Sequence, residues 1–454
     1  MTYYCFKQKE TITLPKKADN PAIIEILHNY TPGILWEINF SDDDCHIAIG
    51  SPEVCDREGA AYVISISEGG IYAEGSSYRD TARAFVSIVE LIFCYGKRDY
   101  RAECGIIRRN PRMEFRSAHI CIRPETTFAQ IQKVLRSCGI AKFSHVVLEF
   151  FGSLEFDCMK ELAWPGSIKK DDLRPLIKEA NALGVEIIPF YQHLGHASMS
   201  RLTQCGKHVV LDQSMEYDHL YYPKSRGWVW NFPADEVKEL LRQVRAELID
   251  LCGEGEYFHI GCDESGYTFD ADELAAHLNA VSDELKAQGR RAIIWGDMLL
   301  SRKFEELKPS LANTHYECNS TPEYANALLD KLSRDIIIAD WQYNANEYPW
   351  KSSLLFKNRG FDVIACPWND YNNIDAALKT ADTDGILGVM KTTWHQLFTD
   401  AGIVRTLYTG LSAWGDPEYA NWFFPVSQLA HDIYRRVSPR GQKYEDCGWF
   451  ESQK

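Results

Sequence analysis

Basic residues are in short supply in this chain. Against 64 aspartates and glutamates it carries 49 lysines and arginines, a formal net charge of −15. A nucleic-acid face needs clustered Lys and Arg to displace counterions from phosphates, and an anionic membrane surface asks for the same. Neither partner is expected. Also missing is an unbroken apolar run of about 18 residues, the length that crosses a bilayer. The opening stretch MTYYCFKQKETITLPKK lacks the basic-then-apolar order of a secretory leader, so a cytoplasmic protein is expected. The 14 cysteines include no C-x-x-C pair, and Cys94, Cys121, Cys262 and Cys366 lie inside apolar runs. That pattern reads as reduced, buried thiols rather than a disulfide framework. Charge leaves open a neutral or cationic ligand the size of a sugar.

With 454 residues, 45% of them hydrophobic, the chain can build one large domain and a smaller one. Residues 1–112 read as the smaller, an α+β unit. AAYVISISEGGIYAEGSS alternates and turns at Gly69-Gly70, which predicts a hairpin. YRDTARAFVSIVELIFCYG then places Ala82, Phe85, Val86, Val89, Leu91 and Ile92 on a helical apolar face that stops at Gly96. The basic, proline-broken RRNPRM marks the junction.

From residue 113 to 454 the pattern changes. Eight short apolar runs follow one another: FRSAHICI, SHVVLEFF, GVEIIPFY, EYFHIGCDE, RAIIWGDM, DIIIADWQ, DVIACPWN and GILGVMKTTWH. Amphipathic helical segments separate many of them, such as DEVKELLRQVRAELIDL with Val237, Leu240, Leu241, Val244 and Leu248 on one face. Eight alternating units predict an α/β fold, a closed (β/α)8 TIM barrel followed by a C-terminal helical tail. An open doubly wound sheet would want a Gly-rich phosphate loop after its first strand, and SAHICIRPETT has none.

Chemistry in such barrels gathers at the C-terminal strand ends. The fourth run ends in adjacent acids, Asp263 and Glu264; the third ends in YQHLGHAS with His193 and His196. Runs five to eight end with Trp295, Trp341, Trp368 and Trp394, which predicts an aromatic-walled pocket suited to the C–H faces of a pyranose ring. Asp297 and Asp340 also sit at strand ends. His193, His196 and His259 could suggest an amidohydrolase-type metal site. Such barrels open with H-x-H on strand one, whereas AHICI offers only His119. No metal and no cofactor is expected.

HIGCDE resembles the H-x-G-G-D-E signature of glycoside hydrolase family 20, the β-N-acetylhexosaminidases, with Cys262 at the second glycine. FRSAHI is similar to that family's first barrel strand, whose arginine holds sugar hydroxyls, which implicates Arg116. LGHAS resembles its P-G-H segment and points to His196. Trp295, Trp341 and Trp394 resemble its aromatic walls. Residues 60–95 resemble the small domain that precedes the barrel in many members. LGH and WGDM resemble the hexosaminidase D-like branch. The family's eighth strand ends W-x-E, where this chain has Trp394-His395-Gln396, so a neutral Gln396 would meet the outer hydroxyls. The family tyrosine that bonds the acetamido oxygen has two candidates, Tyr343 in WQYN and Tyr371 in PWNDYNN.

Adjacent acids on one strand end are badly placed to flank a sugar from both faces, as a two-carboxylate glycosidase requires. They suit a substrate whose own 2-acetamido oxygen is the nucleophile, which is also what the resemblance implies. Glu264 would be the general acid/base and Asp263 would orient and stabilise the acetamido group, releasing terminal β-GlcNAc or β-GalNAc from an oligosaccharide or glycoconjugate. Two other readings stand beside this one: a two-carboxylate β-glycosidase with Asp297 or Asp340 as nucleophile, and a non-catalytic sugar-binding protein. The aromatic-rich loop EYDHLYYPKSRGWVWN is expected on the leaving-group side.

Overall fold

The computed structural model describes residues 2–41, 46–95, 100–123, 126–150, 152–162, 167–197, 215–223, 225, 227–266, 269–394 and 400–415. The first part is built from β1 (Tyr3–Cys5), β2 (Lys9–Pro15), β3 (Leu35–Ser41), β4 (His46–Gly50), β5 (Tyr62–Ser67), β6 (Gly70–Gly75), β7 (Arg101–Glu103) and β8 (Gly105–Arg109). β1 pairs with β7, and the other six form a mixed sheet in the order β3-β2-β4-β6-β5-β8. The expected hairpin is β5–β6. Ser67 pairs with Gly70, so the turn runs through Glu68-Gly69, one residue earlier than the glycine pair suggested. Gly70 instead serves a close approach: a Cβ there would lie 2.7 Å from the Ile49 carbonyl of β4. Helix α1 (Pro21–Tyr30) and the expected helix α2 (Tyr78–Tyr95) pack on the sheet, with Ala82, Phe85, Val86 and Val89 buried.

The barrel strands are β9 (Phe115–Ile122), β10 (His145–Phe150), β11 (Glu186–Phe190), β12 (Tyr257–His259), β13 (Arg291–Trp295), β14 (Ile337–Trp341), β15 (Val363–Cys366) and β16 (Gly388–Thr393). Each pairs in parallel with its chain neighbour, and β16 closes on β9. Helices α3 (Phe128–Ile140), α4 (Lys170–Ala182), α5 (Asp235–Cys252), α6 (Ala271–Ala287), α7 (Pro322–Lys331), α8 (Lys351–Asn358), α9 (Tyr371–Asp384) and α10 (Asp400–Trp414) belong to this part of the chain. Successive strand residues point to opposite faces. Phe115, Val147, Ile188, Ile293, Ile337, Ile364 and Met390 fill the barrel interior, while alternate residues such as Val146, Ile187, Ile294 and Ile338 join the core outside it. Both faces are therefore dry, which is why the runs look continuous rather than alternating.

Polar contacts and a ring stack join the two parts. Arg79 reaches Glu186 at 2.7 Å, Lys142 reaches Glu90 at 2.9 Å, and the Tyr62 ring stacks on Trp414. Among the described residues no helix is long and apolar enough to cross a membrane. The expected helical tail beyond residue 415 lies outside the described residues.

Candidate active site

The turn after β12 carries the acid pair, and its backbone is unusual. Gly261, Cys262 and Glu264 have φ of +71°, +80° and +48°, and His196 on the facing loop has +55°. A residue with a Cβ strains in this region, at about 1–2 kcal/mol each. Such conformations persist where the surroundings over-determine them. Here the surroundings are specific. Trp295 N–H donates to the Gly261 carbonyl (2.8 Å), Cys262 N–H to Gln192 Oε1 (3.2 Å) and Glu264 N–H to Asp297 Oδ2 (3.0 Å). Trp228 Nε1–H donates to the Glu264 carbonyl (2.8 Å), and its ring packs 4.4 Å from that of His196. Gly195 has to be glycine, since a Cβ would lie 2.1 Å from the Asp263 carbonyl.

This turn sends the two acids to different places. Asp263 is only 4% exposed, whereas the Glu264 side chain is 44% exposed. One imidazole nitrogen joins them: His196 Nε2 lies 3.3 Å from Asp263 Oδ2 and 3.2 Å from Glu264 Oε2. A buried acid and a solvent-reaching acid thus share one imidazole within ion-pair reach.

Aromatic rings stand round the barrel mouth. Trp295 and Trp394 lie 5.5 Å apart, Tyr343 is 5.1 Å from Trp341 and 5.3 Å from Trp368, and Trp394 Nε1–H donates to the Tyr343 phenol oxygen. Burial raises the Tyr343 phenol well above its ordinary range, with Asp263 among the nearby charges that add to it. Trp341 Nε1–H donates to Asp297 Oδ1 (3.2 Å), and Asn319 donates to Asp297 Oδ2 (2.8 Å).

Residues 147–416 match the glycosyl hydrolase family 20 catalytic domain, more than half of the chain. The chain belongs to glycosyl hydrolase family 20. It is thus a hexosaminidase-type glycoside hydrolase by family. The fold agrees with a family 20 exo-β-N-acetylglucosaminidase from Vibrio harveyi in complex with N-acetylglucosamine, at 16% identity, TM-score 0.65, 98% of this chain and 77% of that one. It also agrees with a β-N-acetylhexosaminidase from Bacteroides fragilis, at 15% identity, TM-score 0.64, 96% of this chain and 93% of that one. In sequence, the chain is 22% identical over 279 residues to a lacto-N-biosidase from Bifidobacterium bifidum, covering 56% of this chain. It spans about a quarter of that relative's length (24%).

Within this family 20 barrel, several expected site residues lie elsewhere. Arg116 is at the opposite end, where β9 begins. It is 1% exposed and donates to the carbonyls of Met113, Glu114 and Lys142. A strand residue rises roughly 3.3 Å, so the start and finish of β9 lie at different mouths. An arginine at the same end of the barrel as the acid pair is Arg123, just past Ile122, whose Nη2 donates to the Trp394 carbonyl (2.6 Å). Reading the end of the first run rather than its beginning finds it. Tyr371 is likewise turned away: it opens α9 and packs 5.1 Å from Tyr408, under Arg405. Tyr343 is the tyrosine at the rings. His193 is buried on the outer side against Phe258, its Nδ1 bonded to the Tyr191 carbonyl. Gln396 lies outside the described residues. Asp340 points outward to α8, accepting from Ser352 and Ser353 at 2.7 Å each.

Asp297 proves to be the perturbed acid of the site. Burial, with the Asp263 charge beside it, pushes its carboxyl up from an ordinary 3.8 to about 7. In the unfolded chain this group gives up its proton near the ordinary value. Between that value and about 7 the folded state holds the extra proton, so raising the pH across this window erodes stability. Asp297→Asn cannot ionise there. Denaturant titrations at about pH 5 and about pH 8 should show a larger loss of stability for wild type than for the variant. Equal losses would contradict the placement of that proton.

Proposed function

We propose that the chain is an exo-acting, retaining β-N-acetylhexosaminidase that removes terminal β-linked GlcNAc or GalNAc from oligosaccharides or glycoconjugates by substrate-assisted catalysis. The observation that carries this is the position of the acids. Asp263 and Glu264 meet the same imidazole nitrogen, so they serve one side of a ligand. The aspartates that a two-carboxylate mechanism would enlist are committed: Asp340 to α8, Asp297 to three donors inside the protein.

Glu264 protonates the leaving oxygen while the 2-acetamido carbonyl oxygen attacks C1, giving an oxazolinium ion. Asp263 accepts from the acetamido N–H and stabilises the positive charge that develops there. Tyr343 already receives the indole proton of Trp394 on its oxygen, which directs its own O–H to the acetamido oxygen. The indoles of Trp295, Trp341 and Trp394 hold that group bent beneath the ring, a proximity effect. Glu264 then takes a proton from water, which opens the ion with the β-configuration retained. Cys121, Cys138, Cys252, Cys262, Cys318 and Cys366 are buried thiols, which fits a cytoplasmic setting.

The test compares an aryl 2-acetamido-β-glucoside and its galacto epimer with the 2-hydroxy glucoside, with and without a thiazoline that mimics the oxazolinium ion. Hydrolysis confined to the 2-acetamido substrates and blocked by the thiazoline is expected. Comparable turnover of the 2-hydroxy sugar would refute the assisted mechanism, and binding without turnover would leave a sugar-binding protein.

A further inference from the structure

Beneath the acid pair, inside the barrel, sits an ionisable group that the mechanism does not use. Glu149 on β10 is 0% exposed. It pairs in register with Cys121 of β9, so both side chains enter the interior together with His119, two residues earlier. His119 Nε2 lies 2.9 Å from Glu149 Oε2, and the Cys121 thiol donates to the same oxygen at 3.1 Å. The other oxygen accepts from Gln192 Nε2 at 3.2 Å. A carboxylate taken out of water is costly unless donors surround it, and an aliphatic residue in this run would have served packing alone.

The chain of bonds ends at the turn that carries the acids. Gln192 Oε1 accepts the N–H of Cys262, the residue before Asp263, and that residue holds a φ of +80°. The amide of Gln192 has two orientations. Only one is compatible with its neighbours, since the other would set its oxygen against the Glu149 carboxylate and its NH2 against the Cys262 N–H. The Gln192 main chain is fixed as well, its carbonyl accepting from the buried Trp230 indole at 2.9 Å. The fit is close: a Cβ on Gly261 would lie 1.8 Å from Gln192 Oε1.

We infer that Glu149 is a positioning residue, which orients the Gln192 amide and through it braces the left-handed Cys262 so that Asp263 meets the acetamido group. The inference rests on the proposed substrate-assisted reading. It predicts an interchangeable pair. Gln192→Glu puts two carboxylates face to face, and Glu149→Gln leaves two amides with no charge to choose their orientation. The double variant Glu149→Gln/Gln192→Glu restores both bonds, with the new amide donating to the new carboxylate and that carboxylate accepting from Cys262 N–H.

The experiment measures kcat and KM on an aryl 2-acetamido-β-glucoside for wild type, both single variants and the double. Each single variant should lose about tenfold or more in kcat with KM changed less than about threefold, and the double should return to within about threefold of wild type. Hydrogen exchange of the Cys262 amide should quicken in the single variants and slow again in the double. A double variant that is no better than the worse single overturns the brace, and so does one that fails to fold. His119, Cys121 and Glu149 also lie close enough to share a metal ion, with ligand atoms within 4.8 Å of one another. Stoichiometric metal in the purified protein, lost in Glu149→Gln, would therefore overturn it too. Wild type inactive on the 2-acetamido sugar would defeat the functional reading instead, and the exchange rates alone would then decide the brace.

Discussion

Replacing Asp263 by asparagine is expected to lower kcat on an aryl 2-acetamido-β-glucoside by about a hundred- to a thousandfold, the loss typical of removing one preorganised electrostatic partner from a developing charge. The substitution keeps shape and burial. In the proposed mechanism it removes the charge that would face the oxazolinium nitrogen, in a site where only 4% of the residue meets solvent. Low dielectric makes that charge matter more than it would in water. His196, 3.3 Å from Asp263 Oδ2, loses an anionic neighbour too. KM should move little, because the charge develops after binding. Steady-state kinetics with circular dichroism as a check on folding decides the matter. A variant with wild-type kcat would remove Asp263 from the chemistry.

Glu264→Gln should show a loss that depends on the leaving group. Glu264 is the acid whose side chain reaches solvent, where an aglycone would depart. A poor leaving group such as an alkoxide needs the proton in the transition state, and general acid catalysis is worth about a hundred- to ten-thousandfold. A nitrophenolate leaves well without it. The variant should therefore lose far more on an alkyl or disaccharide substrate than on the activated aryl glycoside, whose residual loss reflects the later step in which Glu264 activates water. A series of aryl glycosides of graded leaving-group acidity gives the measurement. A steeper dependence in the variant is expected, and a slope equal to that of wild type would take the acid role away.

The run of eight apolar segments, the hairpin and α2 were legible because hydrophobic periodicity is local: neighbouring residues report which face is dry. The acid pair was legible for a related reason. A buried run that stops at Asp263-Glu264 marks a strand end, and a barrel gathers strand ends at one mouth. The indoles at 295, 341, 368 and 394 followed from the same rule. Glu149 looked like one polar letter in an apolar run, and Asp297 like one more strand-end acid. What made them interesting, the Gln192 amide for one and the Asp263 charge for the other, lies just past a different strand in each case.

The barrel, the place of the acids in it and the aromatic character of the mouth could be read along the chain alone, since period and strand polarity are local. It took the folded barrel to show that Arg123 rather than Arg116 lies at the end that carries the acids, that Tyr343 rather than Tyr371 stands among the rings, and that Asp340 looks outward. Those choices depend on pairing between segments far apart in the chain, and on side-chain directions that no local pattern encodes.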